Sequence, residues 1–348
     1  MTSKGQVYMS KSESVERARK LIEMARTAEK REENDKALGL YDDALAVLGE
    51  DCTLPLAAEA LRWKGTLLRE RGETEAAFRC YTASLEKARA VGSEACQASA
   101  LNCLGTIAQR RCDHKETERL YAEAAELAVK SGDARLLGMI EQNRGVLASM
   151  RGDYGHAEAF YSNSLGAFET SGDHEPMSWV LNNLGILHTK LRNYGQALDY
   201  LQRGLAIAIS RDDNVVKNVI SLNIAEAWLG QGRLDKADDW SVDALGQAQR
   251  RGDHLTAAGA LRIRAAIERH RGALDKSIAT LRIAIYEAEG AEDRLLHAEM
   301  LRELGEISRA VGNAGAARSA LREAVDSFEQ IGATTELAEA RNQLELLQ

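Results

Sequence analysis

The sequence predicts an all-α fold, a right-handed α-solenoid superhelix of eight helical hairpins closed by a C-terminal capping helix. Three observations carry that expectation. The 348 residues hold only two prolines and four phenylalanines in a background of Ala, Leu, Glu and Arg. That inventory favours helices and is poor in the β-branched and aromatic residues that strands prefer. A forty-residue ruler laid on Gly185 then meets Ala25, Gly65, Gly105, Gly145, Gly185, Ala225, Ala265 and Gly305. Two more columns keep the same register: Ala37, Ala77, Thr117, Ala157, Ala197, Ala237, Ser277, Ala317, and Ala44, Ser84, Ala124, Ser164, Gly204, Ala244, Ala284, Ala324. A fixed period without insertions marks stacked supersecondary units.

The elements follow in order. Residues 1–14 lack an apolar core of the kind a secretory signal needs and are expected as a disordered tail, the first helix beginning near Ser12 or Ser14. Hairpins are then expected at 15–53, 54–93, 94–133, 134–173, 174–213, 214–253, 254–293 and 294–333, each a helix A followed by a helix B. Small residues in mid-helix let helix axes approach to roughly 8 Å. Gly72, Gly152, Gly232, Gly272 and Gly312 stand where a left-handed residue would end helix A. The triplets SGD (131–133 and 171–173) and RGD (251–253) mark a second turn per repeat. Pro55 and Pro176 fall in first helical turns, where a missing N–H costs nothing. Residues 334–348 are expected to form the capping helix.

Charge and cysteines narrow the class. A net charge of −8 and a pI of about 5.6 argue against a nucleic-acid partner. No apolar run reaches the ~18 residues of a membrane span, so no membrane partner is expected. Cys52, Cys80, Cys96, Cys103 and Cys112 form no C-x-x-C pair and read as reduced thiols of a cytoplasmic protein. Cys112, with His114 two residues on, has no second ligand pair for a metal. No P-loop, zinc-protease or nucleophile-elbow motif occurs, so neither enzyme activity nor a cofactor is expected.

The segment 145–164, GVLASMRGDYGHAEAFYSNS, places Gly145, Gly152, Ala157 and Tyr161 at the spacing of the tetratricopeptide repeat, with Ser164 in its last Ala column. Tyr41, Tyr81 and Tyr121 supply the aromatic elsewhere; Leu201, Ser241, Leu281 and Leu321 do not. The resemblance covers residues 15–333. Its period exceeds the usual 34, as in the branch that includes kinesin light chain and Pins-type proteins and in bacterial regulators built from such repeats. It implies that the A helices line a concave groove and the B helices form the outer wall.

Helix A of the fifth repeat divides by periodicity. Val180, Leu184, Leu187 and Leu191 form the expected core stripe. Trp179, Asn182, Asn183, Ile186 and Lys190 form a second stripe, which the resemblance turns toward the groove. Stepping by forty aligns Asn143, Asn183 and Asn223 in one column and Asn102, Gln142 and Asn182 in the next. Amides carry both donors and an acceptor and can pair with any peptide backbone. Apolar neighbours Met139, Val146, Met150, Trp179 and Ile186 would anchor side chains, and Arg110 and Lys190 would orient acidic residues. With repeats roughly 16–20 Å apart and about 3.3 Å per extended residue, three rungs span roughly a dozen ligand residues. The asparagines could instead bond neighbouring A helices and bridge the stack, and both roles could coexist. The arginines and glutamates at the groove ends, among them Arg62, Arg69, Arg262, Arg302, Glu226 and Glu299, read as a solvated ion-pair lattice. Arg62 and Thr66 occupy the positions where a carboxylate clamp would need Lys and Asn.

The expected function is therefore non-catalytic binding of a peptide or disordered protein segment. Three rivals stand beside it: a signalling peptide receptor, a small-molecule sensor, and a scaffold recruiting a folded partner on its convex face. The fourteen residues before Val15 are too few for the effector segment such receptors carry, which places that reading second. The partner's identity is not encoded in these patterns, and a homo-oligomer is left open.

Overall fold

The computed structural model describes residues 11–49, 55–291 and 293–347. Among the described residues it is all-helical, with seventeen helices and no strand. Residues 1–10 of the expected tail and Cys52 lie outside the described residues. Residues 11–14, expected in the tail, are already helical, because α1 runs Lys11–Glu29.

The chain forms two units, residues 1–173 and 174–348. The first holds α1, α2 (Asn34–Leu48), α3 (Pro55–Glu70), α4 (Thr74–Ala90), α5 (Glu94–Arg110), α6 (His114–Ser131), α7 (Ala134–Met150) and α8 (Tyr154–Ser171). The second holds α9 (His174–Lys190), α10 (Tyr194–Ser210), α11 (Asn214–Gly230), α12 (Leu234–Arg251), α13 (His254–His270), α14 (Leu274–Gly290), α15 (Arg294–Ala310), α16 (Ala314–Ile331) and α17 (Thr334–Glu345). Odd-numbered helices through α15 are A helices, and even-numbered ones are B helices. In α17, Ala340 is fully buried against a cluster that includes Leu301 and Phe328.

Short turns, most of two or three residues, set the period. After α7, Gly152 takes φ +74°, and Asp153 N–H donates to the Ala148 carbonyl at 2.9 Å. The Asp153 carboxylate then accepts from the His156 N–H, capping α8. This is a left-handed helix stop followed at once by an N-cap. Asp113, Asp133, Asp213, Asp253 and Asp293 cap their helices in the same way. Glu32, Cys112 and Arg192 hold the A–B turn position at φ 60°, 58° and 61°, where other repeats have glycine.

The first small-residue column has a more specific purpose than close helix axes. A Cβ at Gly65, Gly105 or Gly145 would stand 2.7, 2.5 or 2.5 Å from the ring of Tyr81, Tyr121 or Tyr161. At Gly185 and Gly305 it would meet Leu201 and Leu321 at 2.4 and 2.5 Å. Each notch therefore receives the residue sixteen positions on, across its own hairpin. In the third column Ser84 and Ser164 donate from Oγ to the carbonyls of Ala58 and Gly138, both at 2.7 Å. Val180, Leu184 and Leu187 are core as expected, but Leu191 is 37 % exposed. The helix ends at Lys190, and Leu191 turns away with the chain.

Candidate functional site

On the A-helix face of each unit, two hydrogen bonds join a side chain to the one forty-one positions on. In the first unit, Asn143 on α7 donates from Nδ2 to Oδ1 of Asn102 on α5 at 2.9 Å. In the second, Asn223 on α11 donates to Oδ1 of Asn182 on α9 at 2.7 Å. Gln109 donates to the Met150 sulfur at 3.3 Å, and Arg262 to Glu303 at 3.5 Å, at the same separation. Asn102 and Asn182 are 6 % and 2 % exposed, whereas Asn143, Asn183, Asn223 and Gln142 are half-buried. The amides thus bridge the stack in two places, and the more deeply buried member of each pair is the acceptor.

The expected apolar anchors divide between the units. In the first, Met139 and Met150 are 38 % and 64 % exposed, and Val146 is half-buried. In the second, Trp179 is 37 % exposed and Ile186 half-buried. Arg110 and Lys190, at the ends of α5 and α9, are both exposed.

A recess of about 270 Å³ lies on the A-helix face of the first unit, between α3, α5 and α7. Asn102 and Met139 line it together with Arg62, Trp63, Ser99 and Cys103. In its wall, the guanidinium groups of Arg26 and Arg62 stand 3.4 and 3.8 Å from the centre of the Trp63 ring, cation–π contacts. Burial pushes the Cys103 thiol up, with Arg62 and Arg69 pulling it back. Periodicity marked Met139 and Asn102 separately; their meeting at one recess depends on how three A helices pack. Thr66 is used internally, donating to the Arg62 carbonyl and accepting from the Tyr81 hydroxyl, so that position offers no clamp for a carboxylate.

The far end of the second unit carries an ion-pair lattice, half-buried rather than solvated as expected. Arg262 lies within 4 Å of Glu226, Glu299 and Glu303. Arg302 pairs with Glu306 and Glu339, and Arg269 with Glu306. Burial raises the Glu299 and Glu303 carboxyls against the pull of these arginines. No described helix is long and apolar enough to cross a membrane.

Comparison with known proteins adds the family. Residues 96–170 and 142–210 match the family model of the tetratricopeptide repeat. No curated protein matches the sequence. Among solved structures, the Rap protein complexed with Competence and Sporulation Factor is 12 % identical, with a TM-score of 0.62 over 97 % of this chain and 98 % of that one. A signal transduction ATPase with a tetratricopeptide repeat sensor from Pyrococcus horikoshii is 14 % identical, with a TM-score of 0.67 over 95 % of this chain; the match spans half of that protein. NprR in complex with its cognate peptide NprX is 13 % identical, with a TM-score of 0.60 over 83 % of this chain and 82 % of that one. At these identities the likeness is one of fold.

Proposed function

Because this chain is a tetratricopeptide-repeat protein, we propose that it is a non-catalytic binding protein whose A-helix face holds an extended peptide or disordered segment of a partner. The observation that carries the reading is the recess between α3, α5 and α7, with the Asn102–Asn143 amide pair at its edge. A pocket for one side chain beside amides for the backbone is what an extended peptide requires. In this reading Asn102, Gln142, Asn143, Asn182, Asn183 and Asn223 form the polar ladder. Met139, Val146, Met150, Trp179 and Ile186 contact apolar side chains, and Arg110 and Lys190 orient acidic ones. NprR, with its bound peptide, offers a precedent for the fold. Cys80, Cys96, Cys103 and Cys112 are free thiols, which suits a cytoplasmic setting.

The test is selection of random dodecapeptides displayed on phage, followed by titration of the enriched peptide made synthetically. Asn143→Ala combined with Asn183→Ala, with unchanged circular dichroism, is expected to weaken binding at least tenfold. Unchanged affinity would sink the reading.

One observation favours a second reading. On the B helices of the second unit, Val242, Ile283 and Tyr286 are 49 %, 54 % and 71 % exposed, apolar surface that a folded partner could cover. Alanine at all three would weaken a folded partner's capture and leave peptide binding untouched.

A further inference from the structure

We propose that Asn102 and Asn182 are positioning residues, each holding the amide of Asn143 or Asn223 as a preset reader of peptide backbone; this rests on the groove reading above. Three features point the same way. One such bond is present in each unit, in both cases between consecutive A helices, α5 with α7 and α9 with α11. In both, the earlier residue accepts and is almost wholly buried, at 6 % and 2 % exposure. In both, the later residue donates and remains half-buried, so it alone keeps a substantial polar edge toward the face.

The chemistry of the amide explains what the bond does. Asparagine has two N–H donors and a carbonyl oxygen with two lone pairs. Donation to Asn102 uses one N–H of Asn143. One N–H and the oxygen remain, the complement of a peptide unit's C=O and N–H. A partly exposed asparagine without such a tether must lose its rotamer freedom when a ligand arrives, which weakens binding by about 2- to 12-fold. The tether removes that loss in advance. The same forty-one-residue contact is filled elsewhere by Gln109 with Met150 and by Arg262 with Glu303, pairs that leave no asparagine edge. The ligand class is therefore an extended backbone, read independently of its side chains at Asn143 in one unit and Asn223 in the other. Substitution at Asn182 acts on the ligand through Asn223, and substitution at Asn102, which also lines the recess, through Asn143 and the recess wall.

The experiment uses the full chain and the phage-selected dodecapeptide, with Asn102→Ala, Asn143→Ala and the double variant. Asn143→Ala is expected to weaken binding tenfold or more, and Asn102→Ala about 2- to 12-fold. The double variant should be no worse than Asn143→Ala, because the two act as one unit. Without peptide, the side-chain amide protons of Asn143 should shift and exchange faster with water in Asn102→Ala, a change that general loosening of the stack would not confine to this group. Asn182→Ala with Asn223→Ala repeats the test in the other unit should Asn102→Ala fold poorly. Wild-type affinity in Asn102→Ala, unmoved Asn143 resonances, or losses that simply add would each overturn the positioning role while leaving the groove reading intact. Unchanged affinity in Asn143→Ala alongside Asn223→Ala, or no enriched peptide, would bring down both.

Discussion

Gly145→Ala in α7 and Gly166→Ala in α8 make the same chemical change on adjacent helices, with different expected outcomes. Each gains about 1 kcal/mol of helix propensity. At Gly166 a methyl meets nothing within 4 Å, so that gain is kept. At Gly145 the methyl would stand 2.5 Å from two ring carbons of Tyr161, about 1 Å inside ordinary carbon contact. Tyr161 is only 3 % exposed and has little room to move aside. Overpacking of this kind costs about 1–3 kcal/mol. The two variants should therefore differ by about 1–3 kcal/mol, or roughly 2–12 °C in melting temperature for a unit of this size. Thermal unfolding followed by circular dichroism measures the gap, and hydrogen exchange locates it, since repeat proteins can open one section at a time. A Gly145→Ala protein that melts at or above Gly166→Ala would refute the notch.

Three further outcomes are expected. Cys112→Gly and Arg192→Gly should each stabilise by about 0.5–1 kcal/mol, because a left-handed L-residue costs about 1–2 kcal/mol and glycine returns part of that as chain entropy; a lower urea midpoint would contradict this. Asn218 is 1 % exposed with neither amide atom hydrogen-bonded, in a column that holds Ala58, Ala98, Ala258 and Ala298. Since an unsatisfied buried polar group costs about 1–3 kcal/mol, Asn218→Ala should be neutral to stabilising in urea unfolding, and a loss above about 1 kcal/mol would contradict it. Burial holds the folded Glu303 carboxyl above its ordinary value of 4.5. Its contribution is therefore retained below that value and lost as pH rises through the folded pKa. Glu303→Gln should gain urea midpoint relative to the unsubstituted protein as pH rises from 4 to 7, whatever the ion pair with Arg262 contributes at either end; a relative loss over that range would contradict the sign.

The ruler of small residues was legible because close packing admits few side chains at those positions, whatever else the helix carries. What each notch receives was less so: the partner lies sixteen residues on, in a column of four Tyr followed by Leu201, Ser241, Leu281 and Leu321. The amide pairs escaped a forty-residue step because neighbouring A helices are offset, so that contact falls at forty-one. Asn102 therefore meets Asn143, and Asn182 meets Asn223. The adjacency of Asn182 and Asn183 hid which of the two is buried. Cys112 and Arg192 stand on the forty-residue ruler of Gly72, Gly152 and Gly232, so only the repeat, and not the residue type, marked their left-handed backbone. The recess was out of reach of any one-dimensional pattern, because Trp63, Cys103 and Met139 come from three different helices.

Oxidative footprinting with the selected dodecapeptide bound tests most directly where a partner lies. Met139, Met150 and Trp179, at 38 %, 64 % and 37 % exposure, report on the A-helix face, and Tyr286, at 71 %, on the B-helix face. Peptide is expected to slow oxidation of Met139 and at least one of Met150 and Trp179 severalfold, with Tyr286 unchanged. Protection of Tyr286 with Met139 unaltered would place the partner on the opposite wall and contradict the groove.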